Sequence, residues 1–435
     1  MTTSDGALQK PNVYETQRIQ LTSPLMHIGG AVSRLSPFEY VQSGHRVYLP
    51  DQAALEKALQ KQGRLNDYIQ AIDDREDLTP LLQNAFGEDW HTVKDPEGNP
   101  IFPSNRVDVK WTDERITDLR PLIRNGFGDP YIPGSSIKGA IRTALAYHLL
   151  QFPDLYNVPK QQHLSQIEER LQRSMGELKR KAKFFDDKAF MDPLFTNFQL
   201  RHQAQVFGKA GNEMCDRIHK ANLGPNTDFM RAIHISDSPA LKLQTVERQG
   251  TPVTRNQAIA AEVFVSSRWP NYQAKYRASI FTEFIFNLNT EFTLSIDHEM
   301  LSWLHHRQGM KIPFKSISDL LKICQDFAQE QWDFEYDYWN AIKNNQDRGK
   351  TLDFNLIRQR YDAEDCLYTL RMGWASGMPG TTVNLLLAED LAAQVRDTCG
   401  LKAPGFEAPK SRRTVCGPTG DIQFVPGWAK FKVAA

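Results

Sequence analysis

The chain has 435 residues, enough for two or three domains' worth of buried core. Its 52 basic residues balance its 52 acidic ones, which excludes a protein that binds nucleic acid through general surface charge. Five cysteines without a CxxC pair argue against a disulfide framework and are typical of a cytoplasmic protein. The first residues lack the apolar core of a signal peptide, and no run of about 18 apolar residues occurs, so we expect no membrane association.

Strand-like and helix-like patterns alternate irregularly along the chain. Mixed elements without a βαβ repeat favour an α+β fold with an antiparallel sheet and helices on one face. The composition divides the chain into six segments. These are a flexible tail (1–11), a first core part ending in a long helix (12–154), a charged helical insertion (155–220), a second core part (221–298), a helical segment (299–364), and a C-terminal core part with a glycine-rich loop and a basic cluster (365–435).

The stretch PYIPGSSIKGAIRTAL predicts the start of the long helix. Gly134 allows a sharp turn, and Ser135 or Ser136 can cap the helix by accepting a backbone N–H. Lys138 and Arg142 lie four residues apart, so they share one helix face near the positive end of the helix dipole. The arrangement suits a phosphate. The alternative is a capped core helix whose two cations are only solvated.

Two further loops carry glycines and hydroxyls after predicted strands, in HIGGAVSRLSPFEY and GWASGMPGTT. Neither matches a P-loop or a dinucleotide-binding fingerprint. The cluster KSRR near the C-terminal end can clamp phosphates, or it can be a solvated loop. Several such loops and cations, dispersed in sequence, suit a long phosphate backbone.

Catalytic motifs are absent from the sequence: HExxH, GxSxG and the kinase set do not occur, and we expect neither a metal nor a cofactor. The most catalytic-looking string is HISDS. On a strand, His234 and Ser236 share a face while Asp237 points the other way. A strand that ends in an Asx-type turn at Asp237 is the favoured interpretation.

Five blocks occur in a fixed order: LTSPLMHIGGAVSRLSPFEYV, YIPGSSIKGAIRTAL, DFMRAIHISDS, LRMGWASGM and PKSRRTV…GWAKFKV. Together they resemble the RAMP proteins of type III CRISPR effector complexes, and among these the fifth subunit of the Csm (type III-A) complex. IPGSSIKG by itself marks RAMP proteins broadly. The ordered set, with SPFEY and PKSRR, points to this subunit.

The resemblance implies a modified ferredoxin-like (RRM-like) core elaborated by large helical insertions. It also implies a structural subunit that binds the 3′ part of the CRISPR RNA, caps the backbone filament and aids guide maturation. The implied partners are CRISPR RNA, other effector subunits, target RNA through the guide, and host nucleases. The residues implied to contact the guide are His27, Gly29, Gly30, Arg34, Gly134, Ser135, Ser136, Lys138, Arg142, Gly373, Ser376, Gly377, Lys410, Arg412 and Arg413.

The sequence departs from the family pattern in the first loop, where Glu39 replaces the usual aspartate. Backbone subunits that cut target RNA use an aspartate in their first loop, and residues 29–40 contain none, so we predict no cleavage. One alternative is an endoribonuclease that uses Glu39, Asp228 or Asp237. A second is a protein–protein adaptor that works through residues 155–220. With the resemblance, the phosphate-binding interpretation of Lys138 and Arg142 is favoured over the solvated one.

Overall fold

A computed structural model describes residues 13–30, 32–74, 76–176, 192–208, 211–219, 224–248, 250–363, 365–399 and 402–434. The tail expected at residues 1–11 lies outside these ranges. Within the described ranges, no helix combines the length and apolar character needed to span a bilayer.

Strands dominate the centre of the chain, and helices lie mainly before and after them. The strands are β1 (Tyr14–Met26), β2 (Val41–Ser43), β3 (Arg46–Tyr48), β4 (Val107–Trp111), β5 (Leu119–Arg120), β6 (Phe198–Gly208), β7 (Gly211–His219), β8 (Ile233–Ile235), β9 (Gln244–Arg248), β10 (Thr251–Arg255), β11 (Gln257–Arg268), β12 (Ala274–Asp297), β13 (Leu304–His306), β14 (Asn345–Asp347), β15 (Lys350–Leu352), β16 (Leu370–Arg371), β17 (Arg412–Cys416), β18 (Ile422–Phe424) and β19 (Trp428–Val433). The helices of the described residues are α1 (Gln52–Lys61), α2 (Leu65–Asp73), α3 (Leu78–Phe86), α4 (Gly134–Gln151), α5 (Leu164–Arg173), α6 (Asp192–Phe195), α7 (His298–Trp303), α8 (Ile317–Ala341), α9 (Asn355–Tyr361), α10 (Gly377–Thr381) and α11 (Glu389–Thr398).

The main sheet is built around four antiparallel strands in the order β19-β1-β12-β11. Strand β16 extends it beyond β19, and β4, β3 and β2 extend it beyond β11. Strands β5 and β8 pair with β12 at its two ends, while β17 pairs with both β11 and β18. The predicted α+β class with an antiparallel-rich sheet is confirmed.

Helices α4 and α8 pack side by side against the sheet. Ile137, Ile141 and Leu145 of α4 recur at helical spacing and are fully buried, as the apolar pattern predicts. Tyr147 of α4 packs against Phe327 of α8 with 4.7 Å between ring centroids. The stretch PYIPGSSIKGAIRTAL, whose helix α4 we call the signature helix, therefore begins a helix that is mostly buried in the core. Only the first turns of this helix can contribute to a binding site.

Strand β12 is continuous, although its sequence predicts two strands separated by NLNT. Asn287 adopts a φ of 50°, and Asn256, which lies between β10 and β11, adopts a φ of 54°. Asn tolerates this conformation better than most residues. The Asn256 side chain accepts from the Asn289 N–H at 2.7 Å and donates to its carbonyl at 3.0 Å. Side-chain bonds thus replace ladder bonds at the irregularity, and the strand continues through it.

The segment 155–220 is not uniformly helical, which corrects the prediction of a helical insertion. Its described part contains α5 and α6, but β6 and β7 form an antiparallel hairpin that β13 extends at the edge. A charged sequence with few apolar residues does not distinguish a hairpin from a helix, because both can form without a broad apolar face.

Candidate nucleic-acid interface

The first loop and the glycine-rich loop lie against each other, although most of the chain separates them in sequence. The Trp374 N–H donates to the His27 carbonyl at 2.9 Å. Gly373 has a φ of 80°, and a Cβ there would lie 2.5 Å from the same carbonyl oxygen. Only glycine fits this close approach. Gly29 and Gly30 of the first loop are exposed beside it.

Two arginines flank the Trp374 ring. The guanidinium carbons of Arg120 and Arg413 lie 5.1 Å and 4.9 Å from the ring centroid. Arg120 pairs with Thr282 of β12, whose partner on β11 is Ala261, and Arg413 pairs with Val265 of β11. Since alternate residues of a strand share a face, both arginines lie on one side of the sheet. We name Arg120, Trp374 and Arg413 the arginine–tryptophan cluster.

The charges of this cluster are not neutralised by the described part of the chain. Burial lowers the pKa of Arg413, and the nearby Arg120 lowers it further. Burial and then Arg34 lower the pKa of Arg120, opposed by Asp118. Both guanidinium Nε atoms are buried without a hydrogen-bond partner. Arg34 is exposed and pairs with Asp118 at 3.1 Å. The cluster therefore presents positive charge beside an aromatic ring.

The buried His27 side chain packs against the Trp374 ring of this cluster. Its side chain is 2% exposed, and Nδ1 lies 2.7 Å from the Glu283 carbonyl oxygen, so the neutral ring carries its proton on Nδ1. The ring meets Phe284 and Trp374 edge-on, with centroids 5.8 Å and 5.6 Å away. Burial lowers the pKa of His27 to about 4. A neutral, enclosed imidazole positions Trp374 and leaves no charge for a phosphate.

The cap of the signature helix differs from the prediction. Neither Ser135 nor Ser136 caps α4, so that prediction is wrong. Instead the Gly134 N–H donates to Asp237 Oδ1 at 2.7 Å. A Cβ on Gly134 would lie 2.4 Å from the Ile235 carbonyl oxygen, so glycine is required where the helix meets β8. Ser135 is exposed and Ser136 is partly exposed.

The two cations of the signature helix are engaged inside the protein. Lys138 Nζ donates to the Ile233 carbonyl at 2.7 Å, and burial lowers its pKa. Arg142 pairs with Asp228 at 2.5 Å, and its guanidinium lies 3.9 Å from the centre of the Phe195 ring. Each cation thus already has a protein partner, which argues against the prediction that both bind a phosphate.

The basic cluster KSRR is divided between the core and the surface. Arg412 is 4% exposed and pairs with the buried Glu335 at 3.0 Å, and Glu335 also pairs with Arg371 at 3.2 Å. Arg413, the next residue, points to the opposite face of β17. Lys410 is partly exposed, with Nζ 5.4 Å from the centre of the Phe406 ring. Arg412 is thus a core residue and does not face the candidate interface.

The glycine-rich loop is held by its own hydroxyl. Ser376 is 1% exposed, and its Oγ donates to the Gly373 carbonyl at 2.8 Å. Gly377 has a φ of 69° and begins α10, which contacts α4. Ser376 therefore shapes the glycine-rich loop from its buried side.

The three acidic candidates for catalysis have local structural roles. Glu39 Oε2 accepts from the Ser36 N–H at 2.7 Å and closes a turn. Asp228 accepts from the Met230 N–H at 2.8 Å in addition to pairing with Arg142, and Asp237 caps α4. Among the described residues, no group of three or more potential metal ligands is assembled.

Sequence reasoning missed Arg120 and the central role of Trp374. Trp374 lies inside the block LRMGWASGM, and a tryptophan in a glycine-rich loop is the signal that could have identified it. Arg120 had no such signal, because its position beside Trp374 depends on the pairing of β5 with β12.

The sequence profile of the RAMP superfamily matches residues 18–321. The chain belongs to the RAMP superfamily. It is similar to the "CRISPR system Cms protein Csm5" of Enterococcus italicus, with 29% identity over 168 residues that cover 33% of this chain and 47% of the relative. The protein of the same name from Streptococcus thermophilus is 29% identical over 141 residues, 31% of this chain and 39% of the relative. The matched segments thus span less than half of either relative.

Two solved structures share the fold over nearly the whole chain. One is a chain of the cryo-EM structure of a Csm–crRNA–target RNA ternary complex of a type III-A system, with a TM-score of 0.58, 20% identity, and coverage of 96% of this chain and 100% of that one. The other is the crystal structure of T. onnurineus Csm5, with a TM-score of 0.54, 17% identity, and coverage of 95% and 100%. The chain therefore has the fold of Csm5-like RAMP proteins.

Proposed function

We propose that this chain is a structural subunit of a type III-A CRISPR effector complex that binds the CRISPR RNA. It caps the backbone filament near the 3′ end of the guide and aids guide maturation. Its partners are the CRISPR RNA, the other subunits of the complex and, through the guide, target RNA, in the cytoplasm. The four strands β19, β1, β12 and β11, with α4 and α8 on one face, form its ferredoxin-like core.

The observation that carries the proposal is the arginine–tryptophan cluster between two glycine-rich loops. An aromatic ring offers a stacking surface to any base, and guanidinium groups without carboxylate partners attract phosphates. Glycines let a sugar–phosphate backbone approach closely. Such an interface grips RNA of any sequence, as a subunit must when the guide itself supplies specificity by base pairing.

The proposed contacts are the residues of the two loops and the cations beside them. They are Gly29, Gly30, Arg34, Arg120, Gly373, Trp374, Gly377, Lys410 and Arg413, with Ser135 and Ser136 at the exposed first turn of α4. His27 and Ser376 position the loops. Gly134, Lys138, Arg142 and Arg412 stabilise the fold around them.

The subunit acts without catalysis in this proposal. Glu39, Asp228 and Asp237 each hold a backbone N–H or a cation, which gives all three a structural explanation. We expect a complex assembled with Glu39→Ala to treat complementary RNA as the unaltered complex does. Loss of cleavage caused by that substitution alone would refute this part.

The test of guide binding is the RNA content of the assembled complex. A subunit with Arg120→Gln and Arg413→Gln should co-purify with less guide RNA, and the slope of log affinity against log salt should become shallower by about 1.4, because two phosphate contacts are lost. Lys61→Gln is the matched control, since Lys61 is an exposed cation at the end of α1. Equal guide content in the double variant and the control would reject the interface.

A further inference from the structure

The tip of the β11–β12 hairpin carries two exposed aromatic side chains. Trp269 is 39% exposed and Tyr272 is 43% exposed. Lys275 Nζ lies 3.5 Å from the centre of the Trp269 ring, and the Arg268 guanidinium lies 4.1 Å from the centre of the Tyr272 ring. We name the segment 268–275 the hairpin tip. None of its side chains has a role in the interface described above.

The hairpin tip has a fixed backbone. The Trp269 N–H donates to the Gln273 carbonyl at 2.8 Å, and the Tyr272 N–H donates to the Trp269 carbonyl at 2.9 Å. The Lys343 N–H donates to the Tyr272 carbonyl at 2.8 Å and ties the tip to the end of α8. The rings therefore stand on a braced turn, which lowers the entropy lost when a ligand stacks on them.

Positive charge accumulates behind the tip. Burial lowers the pKa of Lys410, and Arg277, Arg396 and Lys275 lower it further, while Asp397 opposes them. Arg277 is exposed and forms no ion pair among the described residues. The carboxylates near this region are already paired with arginines.

Two such carboxylates can be identified. Glu407 lies 3.8 Å from Arg268, and Asp397 accepts from the buried Arg396 at 2.8 Å. Arg396 also donates to the carbonyls of residues 403, 406 and 407. Its charge therefore adds to the positive potential of this region, but its guanidinium is not available to contact a ligand. Lys275, Arg277 and Lys410 are left as the cations that a ligand can meet.

The hairpin tip continues the candidate interface along β11. Arg413 pairs with Val265, and Lys275 pairs with Ser267, two residues farther along the same strand. At about 3.4 Å per residue, these two pairs lie about 7 Å apart along the strand. A strand of RNA that leaves the arginine–tryptophan cluster in this direction reaches the tip directly.

We propose that the hairpin tip is a second contact site for single-stranded RNA, with bases stacked on Trp269 and Tyr272 and phosphates near Arg277 and Lys410. The inference rests on the proposed function and extends its site. Single-stranded RNA supplies both flat apolar faces and regularly spaced negative charges, which match braced aromatic rings alternating with unpaired cations. Duplex RNA hides its base faces, and an acidic protein segment would satisfy the cations only.

The test measures binding of fluorescein-labelled oligouridine of about 20 nucleotides to the full chain by fluorescence anisotropy across a salt series. Trp269→Ala should weaken binding about 5- to 150-fold, the range for loss of one stacked base, and Trp269→Phe should restore most of it. Arg277→Gln with Lys410→Gln should lower the salt slope by about 1.4. Tyr336→Ala is the matched control, because Tyr336 of α8 is also 39% exposed.

The outcomes separate the tip from the rest of the interface. If the tip variants bind like Tyr336→Ala while the Arg120 and Arg413 variants lose affinity, the tip proposal is overturned and the proposed function stands. If the Arg120 and Arg413 variants bind normally and only the tip variants weaken, the arginine–tryptophan cluster is rejected instead. Normal RNA binding by tip variants that fail to assemble with a neighbouring subunit would identify the tip as a protein contact and overturn its RNA role.

Discussion

Arg412 and Arg413 are adjacent in sequence, and their substitution should have opposite consequences. Arg412 is 4% exposed and shares Glu335, itself 1% exposed, with Arg371. Breaking a buried pair costs about 3–5 kcal/mol because a charge is left without its partner. Since Arg371 still contacts Glu335, Arg412→Gln should lower the free energy of unfolding by an amount at the lower end, about 3 kcal/mol.

Arg413→Gln should spare stability and weaken RNA binding. Among the described residues, Arg413 contacts the Trp374 ring, and loss of this contact costs about 0.5–1 kcal/mol. Its loss removes one phosphate partner, so the slope of log affinity against log salt should fall by about 0.7.

Urea unfolding and RNA anisotropy on the same two preparations test this pair. Arg412→Gln should shift the unfolding midpoint, and the folded fraction should keep the affinity of the unaltered protein. Arg413→Gln should show the reverse pattern. If both variants are equally destabilised, or if Arg413→Gln binds RNA with an unchanged salt slope, the assignment of these two residues to opposite faces is refuted.

Two further predictions concern the backbone at the signature helix and the buried imidazole. Gly134→Ala should destabilise the fold strongly because its Cβ would meet the Ile235 carbonyl at 2.4 Å, while Gly139→Ala, with open space around it, should stabilise the helix by about 0.5–1 kcal/mol in thermal unfolding. The pKa of His27 is lowered to about 4, so the unfolded chain binds its proton first as pH falls, and stability should decline between about pH 6.5 and 4 by up to about 3 kcal/mol. His27→Gln should flatten that decline; an unchanged pH profile would contradict the buried neutral ring.

The fold class could be predicted from the sequence because the patterns that indicate it are local. Apolar spacing placed α4 from the turn before Gly134 to Gln151, as observed. Adjacent strand-like runs predicted the antiparallel sheet. Strand β12 was misjudged, because NLNT has the composition of a turn, and the bonds that keep the strand continuous come from Asn256, more than thirty residues away.

The candidate site was only partly readable, because charge in a sequence does not reveal its partner. Lys138 and Arg142 have the spacing of a phosphate seat, yet the Ile233 carbonyl and Asp228 occupy them. KSRR offers two neighbouring arginines, and only the pleat of β17 decides which one reaches the surface. Arg120 gained its position from a short strand pairing that no periodicity predicts.

The contact between the Trp374 N–H and the His27 carbonyl also has a consequence for biogenesis. The first loop, with His27, is synthesised early, whereas the glycine-rich loop, with Trp374, and Arg413 are synthesised only after most of the polypeptide has been translated. Strand β19 must then pair with β1 before the two loops are held by the same sheet. A nascent chain that has not yet produced the glycine-rich loop and β19 therefore cannot assemble the candidate interface.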